Sequence, residues 1–326
     1  MRAIVCSQYG SPQDLRLVEL PDPVPGPGQV LVSVAAVGLG FVDALHVAGR
    51  YQLKWPLPFT PGSELSGIVA GIGSDMRGLS IGQRVLGFCE RGALAEQVVL
   101  AASVCIAVPD RLDDVQAASF PTSYATALFG LRECGRLQAN ETVLVLGAAG
   151  GVSMAAIDVA KAMGARVIAA ASSQAKRALA LARGADEAID YTQADWRNDL
   201  KQRDGLARGV DLVFDPVGGS YSEAAFRSLA PGGRHLVVGF AAGDIPRLPL
   251  NLPLLKRASL VGVDWGGAMR SDPAAAKPVF DTLFEWIGEG RISPRAGQVY
   301  RFEQAGDALS AMLGRQAQGK VVIAIR

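Results

Sequence analysis

The stretch VLVLGAAGGVSMAAIDVAKAMGA, residues 143–165, decides how the rest of the chain is read. A short apolar run ends at Gly147, a small-residue turn follows, and apolar side chains then recur at helical spacing. Gly147 ends a strand at a point where a Cβ would obstruct the turn. Gly150 and Gly151 open a helix, followed by Val152, where free backbone N–H groups can approach a pyrophosphate closely. The spacing is G-x-x-G-x-x-S rather than G-x-G-x-x-G, with Ser153 in the third glycine position. Such a turn alone is a weak signal, and a purely structural strand-to-helix turn is the competing reading. Its place after a strand, before an amphipathic helix and at the head of further strand–helix units points to dinucleotide binding.

Outward from this turn the alternation continues. ARVIAAA (165–171) precedes a helix through Arg183, and EAIDY (187–191), VDLVFD (210–215), RHLVVG (234–239) and SLVGV (259–263) follow. Six strands with intervening helices predict a doubly wound parallel six-stranded sheet in the order 3-2-1-4-5-6, over residues 122–264. Residues 1–121 read instead as β-rich and barrel-like. Short runs at Val30–Val37, Gly67–Gly71 and Arg84–Phe88 are separated by the turn signals PDPVPGPGQ (21–29), TPGSE (60–64) and IGQR (81–84). After residue 264 the helix VFDTLFEWIGEG (279–290) and the strands QVYRF (298–302) and KVVIAI (320–325) break the alternation. Residues 265–326 are therefore expected to return and complete the first domain.

Cofactor choice is read at the end of the second strand, where an acid would bind a ribose 2′-hydroxyl. Here the chain has Ala171, Ser172 and Ser173, followed by the bases Lys176 and Arg177. With no acid to repel a 2′-phosphate and bases to pair with it, NADPH is favoured over NADH. Lys176 is the preferred partner and Arg177 the alternate, although each also reads as an ordinary solvated helix residue.

Composition excludes several classes. Lys+Arg number 32 against 31 Asp+Glu, a net charge of +1, which leaves no footprint for nucleic acid or an anionic membrane. Hydrophobic residues make up 49% and charged residues 19%, the balance of a folded chain rather than a disordered one. No 18-residue apolar run lacks charges, and MRAIVCSQYG at the N-terminus has no signal-peptide core, so a cytoplasmic protein is expected. Cys6, Cys89, Cys105 and Cys134 have no metal-binding spacing, and the two histidines, His46 and His235, lie far apart. No metal site is expected, and the cysteines read as small core residues in a reducing compartment. Cys89, beside Glu90 and Arg91, has a second reading as a partly exposed thiol. No Ser-His-Asp arrangement is suggested.

The segments GRYQLKWPLPFTPGSELSG (49–67), LVLGAAGGVSMAAIDVAKAMGARVIAAASS (144–173), GADEAIDY (184–191), FDPVGG (214–219) and GKVVI (319–323) carry a family resemblance over nearly the whole chain. It resembles the zinc-independent medium-chain dehydrogenase/reductases, in their NADPH:quinone oxidoreductase branch, related to the zeta-crystallins. The resemblance implies a GroES-like catalytic domain split around a Rossmann domain, and a homodimer. Gly62, Ser63 and Glu64 stand where zinc-dependent members have Gly-His-Glu, VGLGFVD replaces a cysteine ligand, and the four-cysteine lobe is missing between Phe88 and Val108. Quinone reductases have Asn before the Phe of an N-F-x-D stretch, whereas Gly40 precedes Phe41, Val42 and Asp43 here.

By similarity, Thr126 approaches the nicotinamide carboxamide, and Tyr191 joins Lys176, Ser172 and Ser173 near the 2′-phosphate. Val217 and Gly218 flank the adenine-side ribose, Gly239, Phe240 and Ala241 the nicotinamide side. Val263 and Trp265 border the nicotinamide, and Arg315 reaches the cofactor from the C-terminal segment. Phe240 and Trp265 read equally as aromatic packing at strand ends. The edge at SLVGV (259–263) is the expected dimer contact.

A reductase without metal needs a positioned acid or an acceptor that takes hydride readily. Quinones and other small conjugated carbonyls are such acceptors, stacked on the nicotinamide in a water-poor cleft with Phe41 in the acceptor site. Tyr51 is the favoured proton donor, with a cleft-wall aromatic as its other reading, and His46 a weaker candidate. The alternative activity is reduction of enones or enoyl thioesters, with Arg50 and Lys54 available to a thioester's phosphates. A non-catalytic, crystallin-like NADPH-binding protein is the reading from another class.

Overall fold

The computed structural model describes residues 1–75 and 78–326. The chain divides into two compact units, one formed by Met1–Thr122 with Pro294–Arg326, the other by Ser123–Ser293.

The second unit is built on a six-stranded parallel sheet. Its spatial order is Glu187–Ile189, Arg166–Ala170, Thr142–Leu146, Val210–Asp215, Leu229–Val237, Ser259–Gly262, which in chain order is 3-2-1-4-5-6. Leu144 lies opposite Ile168 on one side and Val213 on the other. All five residues of Thr142–Leu146 are buried, as expected of a central strand covered by helices on both faces. Trp196, Leu200, Phe226 and Leu252, from three helices, pack with Leu144, Leu146 and Ile168 in one core cluster.

The chain returns to the first unit at Pro294, not at 265 as the broken alternation suggested. The reason is the helix Ala276–Gly288, whose Val279, Phe280, Leu283, Trp286 and Ile287 are buried along one stripe. Phe280 lies 6.4 Å from the Trp265 ring, and Trp265 lies 5.6 Å from Phe129, so this helix belongs to the second unit's core.

The first unit centres on the eleven-residue strand Gln29–Leu39. Its first half pairs with Gln97–Ala101 and its second half with Lys320–Ala324, while Glu64–Ile72 runs along its other side. Ala296–Arg301 extends the sheet beyond Lys320–Ala324, and Arg84–Phe88 with Cys105–Ala107 extends it beyond Glu64–Ile72. Close approach of these strands requires glycine: a Cβ on Gly67 would stand 2.3 Å from the Ser33 carbonyl oxygen. Among the described residues, no helix is long and apolar enough to cross a membrane.

Candidate cofactor and active site

The glycine-rich turn has the geometry that its sequence demands. Gly147 sits at φ +57°, and a Cβ there would lie 2.7 Å from Val217 Cγ2. Gly150 caps the helix Gly151–Ala162 in an extended conformation and donates its N–H to the Gly147 carbonyl at 2.8 Å. The twelve-residue helix thus starts on free N–H groups beside a cradle that side chains would fill, which fits a pyrophosphate. Val152 is half-buried in its first turn. The third-glycine position is occupied without loss of contact, because the buried Ser153 Oγ donates to the Leu146 carbonyl at 2.9 Å. The hydroxyl ties the helix to the strand end.

At the end of the second strand Ala171 is buried while Ser172 and Ser173 are exposed. Ser173 Oγ caps the helix Gln174–Ala182 by accepting the Lys176 N–H at 3.3 Å. Lys176 is half-buried in the first turn of that helix. Arg177 is engaged elsewhere: its Nη1 lies 2.8 Å from Asp190 Oδ2 and donates to the Ala171 carbonyl at 3.2 Å. Tyr191 packs edge-on against Tyr221, with ring centroids 4.5 Å apart.

The turns after the fourth and fifth strands are joined through their backbones. Ala241 donates to the Pro216 carbonyl at 3.1 Å and Ala242 to that of Val217 at 2.7 Å. Gly218, at φ +69°, leaves room for Phe240, which a Cβ there would meet at 2.8 Å. Gly239 and Ala241 are half-buried, and Phe240 is 38% exposed. Val263 is buried against Gly130, where a Cβ would lie 3.1 Å from Val263 Cγ1. Trp265 is 6% exposed, with its ring between those of Phe129 and Phe280, the aromatic packing that was its other reading.

Thr126 is half-buried on the helix Pro121–Leu128. Two residues before it, the Tyr124 hydroxyl donates to Asp158 Oδ2 and accepts from Arg183 Nη2 at 2.5 Å. Arg183 also grips Asp158, with Nε 2.8 Å from Oδ1. Sequence reasoning missed this anchor. Its signal was Asp158, an acid set within the apolar run MAAIDVA of a helix buried along nearly its whole length.

In the first unit, Gly40 caps the helix Phe41–Val47, and its N–H donates to Asp43 Oδ2 at 2.7 Å. Burial raises the Asp43 carboxyl to about 6, against the opposing pull of the Gly40 N–H and the Lys320 charge. Glu64 is also buried, and it accepts from the Lys320 ammonium and from the Thr122 N–H at 2.8 Å. Phe41, His46 and Tyr51 are half-buried. The His46 ring lies 4.6 Å from that of Tyr51 and 5.5 Å from that of Trp55. Burial lowers the His46 pKa, outweighing a hydrogen bond with the Leu53 backbone. Arg50 is exposed, and Lys54 stands 5.8 Å from the Tyr9 ring centroid. Arg315, also in the first unit, is exposed at φ +57° just after the helix Ala305–Leu313.

Cys89 is half-buried, in keeping with its second reading as a partly exposed thiol, and desolvation pushes that thiol up to about 12, so it stays protonated. Among the described residues, no three His, Cys, Asp or Glu side chains gather as a ligand set. Gly62–Ser63–Glu64 offers no imidazole, and Glu64 is committed to Lys320. These residues do not fit a zinc ion.

Two family models match the chain: the alcohol dehydrogenase GroES-like domain over residues 26–110 and the zinc-binding dehydrogenase over residues 151–284. Quinone oxidoreductase-like protein 2 of Rattus norvegicus is 38% identical over 326 residues, covering 100% of this chain and 92% of the relative. The quinone oxidoreductase of Thermus thermophilus, solved alone and with NADPH, superposes with a TM-score of 0.85 at 34% identity, covering 100% of both chains. The CurK enoyl reductase superposes with a TM-score of 0.90 at 24% identity, covering 100% of this chain and 99% of the other, a likeness of fold.

Proposed function

Since the chain belongs to the medium-chain dehydrogenase/reductase family, among its quinone oxidoreductase-like members, we propose that it is a quinone reductase that works without metal. Its cofactor is NADPH. The observation that carries this reading is the Gly147–Ser153 turn, without a Cβ at Gly147, Gly150 and Gly151, followed by a second strand that ends without an acid.

Gly147, Gly150, Gly151 and Val152 hold the pyrophosphate, and Lys176 pairs with the 2′-phosphate beside Ser172 and Ser173. Tyr191 borders the adenosine, with Val217 and Gly218 on the adenine-side ribose. Thr126, Gly239, Phe240, Ala241 and Val263 border the nicotinamide, and Arg315 is the cofactor contact from the C-terminal segment. The dihydronicotinamide, when bound, supplies the hydride that a quinone accepts at its conjugated system. Phe41 lines the acceptor site. The Tyr51 hydroxyl donates the proton that completes reduction, because His46, held below its ordinary pKa, is neutral at pH 7 and has no acidic proton to give.

A homodimer is part of the same proposal. Leu250, Leu254 and Leu255 are 84%, 76% and 73% exposed, and Leu260, 52% exposed, lies on the sheet's edge strand Ser259–Gly262. An apolar cluster beside an unpaired edge is the kind of surface that a second copy covers. Four free thiols suit a reducing, cytoplasmic setting.

The deciding experiment is anaerobic NADPH oxidation with matched quinones, enones and enoyl thioesters, with NADH in parallel. Fast turnover of quinones with NADPH preferred supports the proposal. Turnover confined to enones or thioesters replaces it with the enoyl reductase reading, and cofactor binding without turnover replaces it with a non-catalytic role.

A further inference from the structure

We propose that Asp215, gripped by His235 and Ser222, is the positioning residue that sets the cofactor-facing turns of the second unit. Asp215 ends the fourth strand and is 2% exposed. Its Oδ1 accepts the N–H groups of Val217 at 2.8 Å and Gly218 at 2.9 Å, folding the chain back over the carboxylate. Its Oδ2 accepts from Ser222 Oγ at 2.6 Å and lies 3.0 Å from His235 Nε2.

The backbone carries the same residue further. The Asp215 carbonyl accepts from Val238 at 2.9 Å and from Gly239 at 3.3 Å, and the Pro216 carbonyl accepts from Ala241. Val217 in turn fills the space beside Gly147. Three segments with separate places in the cofactor reading, at Gly147, at Val217–Gly218 and at Gly239–Ala241, therefore meet on one residue.

The protonation state follows from the donors. A carboxylate that already accepts two N–H groups and a hydroxyl is ionised, so His235 Nε2 carries the proton and donates it. Burial works to raise the Asp215 pKa, and the donors from His235, Ser222 and Gly218 outweigh it, holding the carboxyl below the usual range. Among the described residues, His235 Nδ1 is buried without a hydrogen-bond partner. An amide in place of the carboxylate would point an NH2 at Ser222 and His235. The histidine would then have to move its proton to Nδ1, where it meets no acceptor.

This inference rests on the NADPH reading. Its test measures NADPH dissociation constants by cofactor fluorescence, well below the melting temperature, in wild type, Asp215→Asn, Ser222→Ala and His235→Asn, with kcat at saturating NADPH. Asp215→Asn is expected to weaken NADPH binding by about tenfold or more, and each of the others by about threefold, with a smaller loss in kcat than in affinity. Should Asp215→Asn not fold, the other two variants decide. A lowered melting temperature with unchanged NADPH affinity overturns the inference and leaves Asp215 a structural residue. If wild type itself fails to bind NADPH, the cofactor reading falls and takes this inference with it.

Discussion

Arg177 and Asp190 stand 2.8 Å apart, the base from the helix after the second strand and the acid from the end of the third. The sequence offers two adjacent bases near the ribose position, and this ion pair separates them. Asp190 and the Ala171 carbonyl both draw on the Arg177 guanidinium, while Lys176, in the first turn of the helix that follows the second strand, is the base we assign to a 2′-phosphate.

Lys176→Ala is accordingly expected to raise the KM for NADPH by roughly tenfold to a hundredfold, the scale of one charge-assisted phosphate contact, and to leave the KM for NADH within about twofold. Arg177→Ala is expected to change the NADPH value by about threefold or less. Steady-state kinetics with both cofactors checks the pair, and a larger effect at Arg177 would reverse the assignment.

The Ser153 hydroxyl is buried and bonded to the Leu146 carbonyl, so its removal leaves that acceptor short of a partner. Ser153→Ala should lower stability by about 1–2 kcal/mol in urea unfolding. An unchanged midpoint would mean that the contact contributes nothing net.

Asp43 predicts a pH effect of definite sign. Its carboxyl is raised to about 6 in the fold from an ordinary 3.8, so between those values the folded state binds more protons than the unfolded one. Its contribution is favourable below 3.8 and is lost progressively as pH rises to about 6. Asp43→Asn should therefore gain on wild type between pH 4 and pH 7, by about 3 kcal/mol at most. The check is unfolding free energy of both proteins across that range. A difference independent of pH would show that Asp43 is ionised throughout.

Tyr51 and His46 share a packing contact and differ in chemistry. Tyr51→Phe should lower kcat with quinones roughly tenfold or more, less than general acids often contribute, because solvent also supplies protons. His46→Ala should leave kcat within about threefold at pH 7. An unchanged kcat in Tyr51→Phe, which keeps the ring and loses only the hydroxyl, would make the Tyr51 ring a wall of the site.

The double variant Leu254→Glu with Leu255→Glu places charge on the exposed apolar cluster beside the edge strand. It is expected to elute as a monomer where wild type elutes as a dimer, in size-exclusion chromatography with light scattering. A monomeric wild type would remove the dimer from the proposal.

Much of this was legible in the chain. The switch from a two-residue to a helical period near residue 122 and the repeated strand–helix units gave the parallel sheet and its order. The small-residue turn at 147–153 marked the strand-to-helix turn to which we assign the phosphates. What escaped has a common cause. Trp265 and the helix Ala276–Gly288 follow the last strand of the alternation, so their sequence placed them with the returning segment, and only packing against Phe129 assigns them to the second unit. The Tyr124–Asp158–Arg183 anchor and the Asp215–His235 contact join residues that no local pattern connects. A sequence displays periodicity and spacing, whereas a buried polar group finds its partner through the fold.

The strand Lys320–Ala324 lies against the inner half of Gln29–Leu39, and Lys320 answers the charge of Glu64, a residue 256 positions earlier in the chain. On a ribosome, the whole of Ser123–Ser293 is synthesised before that strand. The cofactor-binding unit has all its strands in hand and can form during synthesis, while the other unit waits with a sheet edge open and Glu64 without its cation. That half-made sheet is the stage of biogenesis most exposed to aggregation, and NADPH, if it binds early, would steady the finished half while the other is completed.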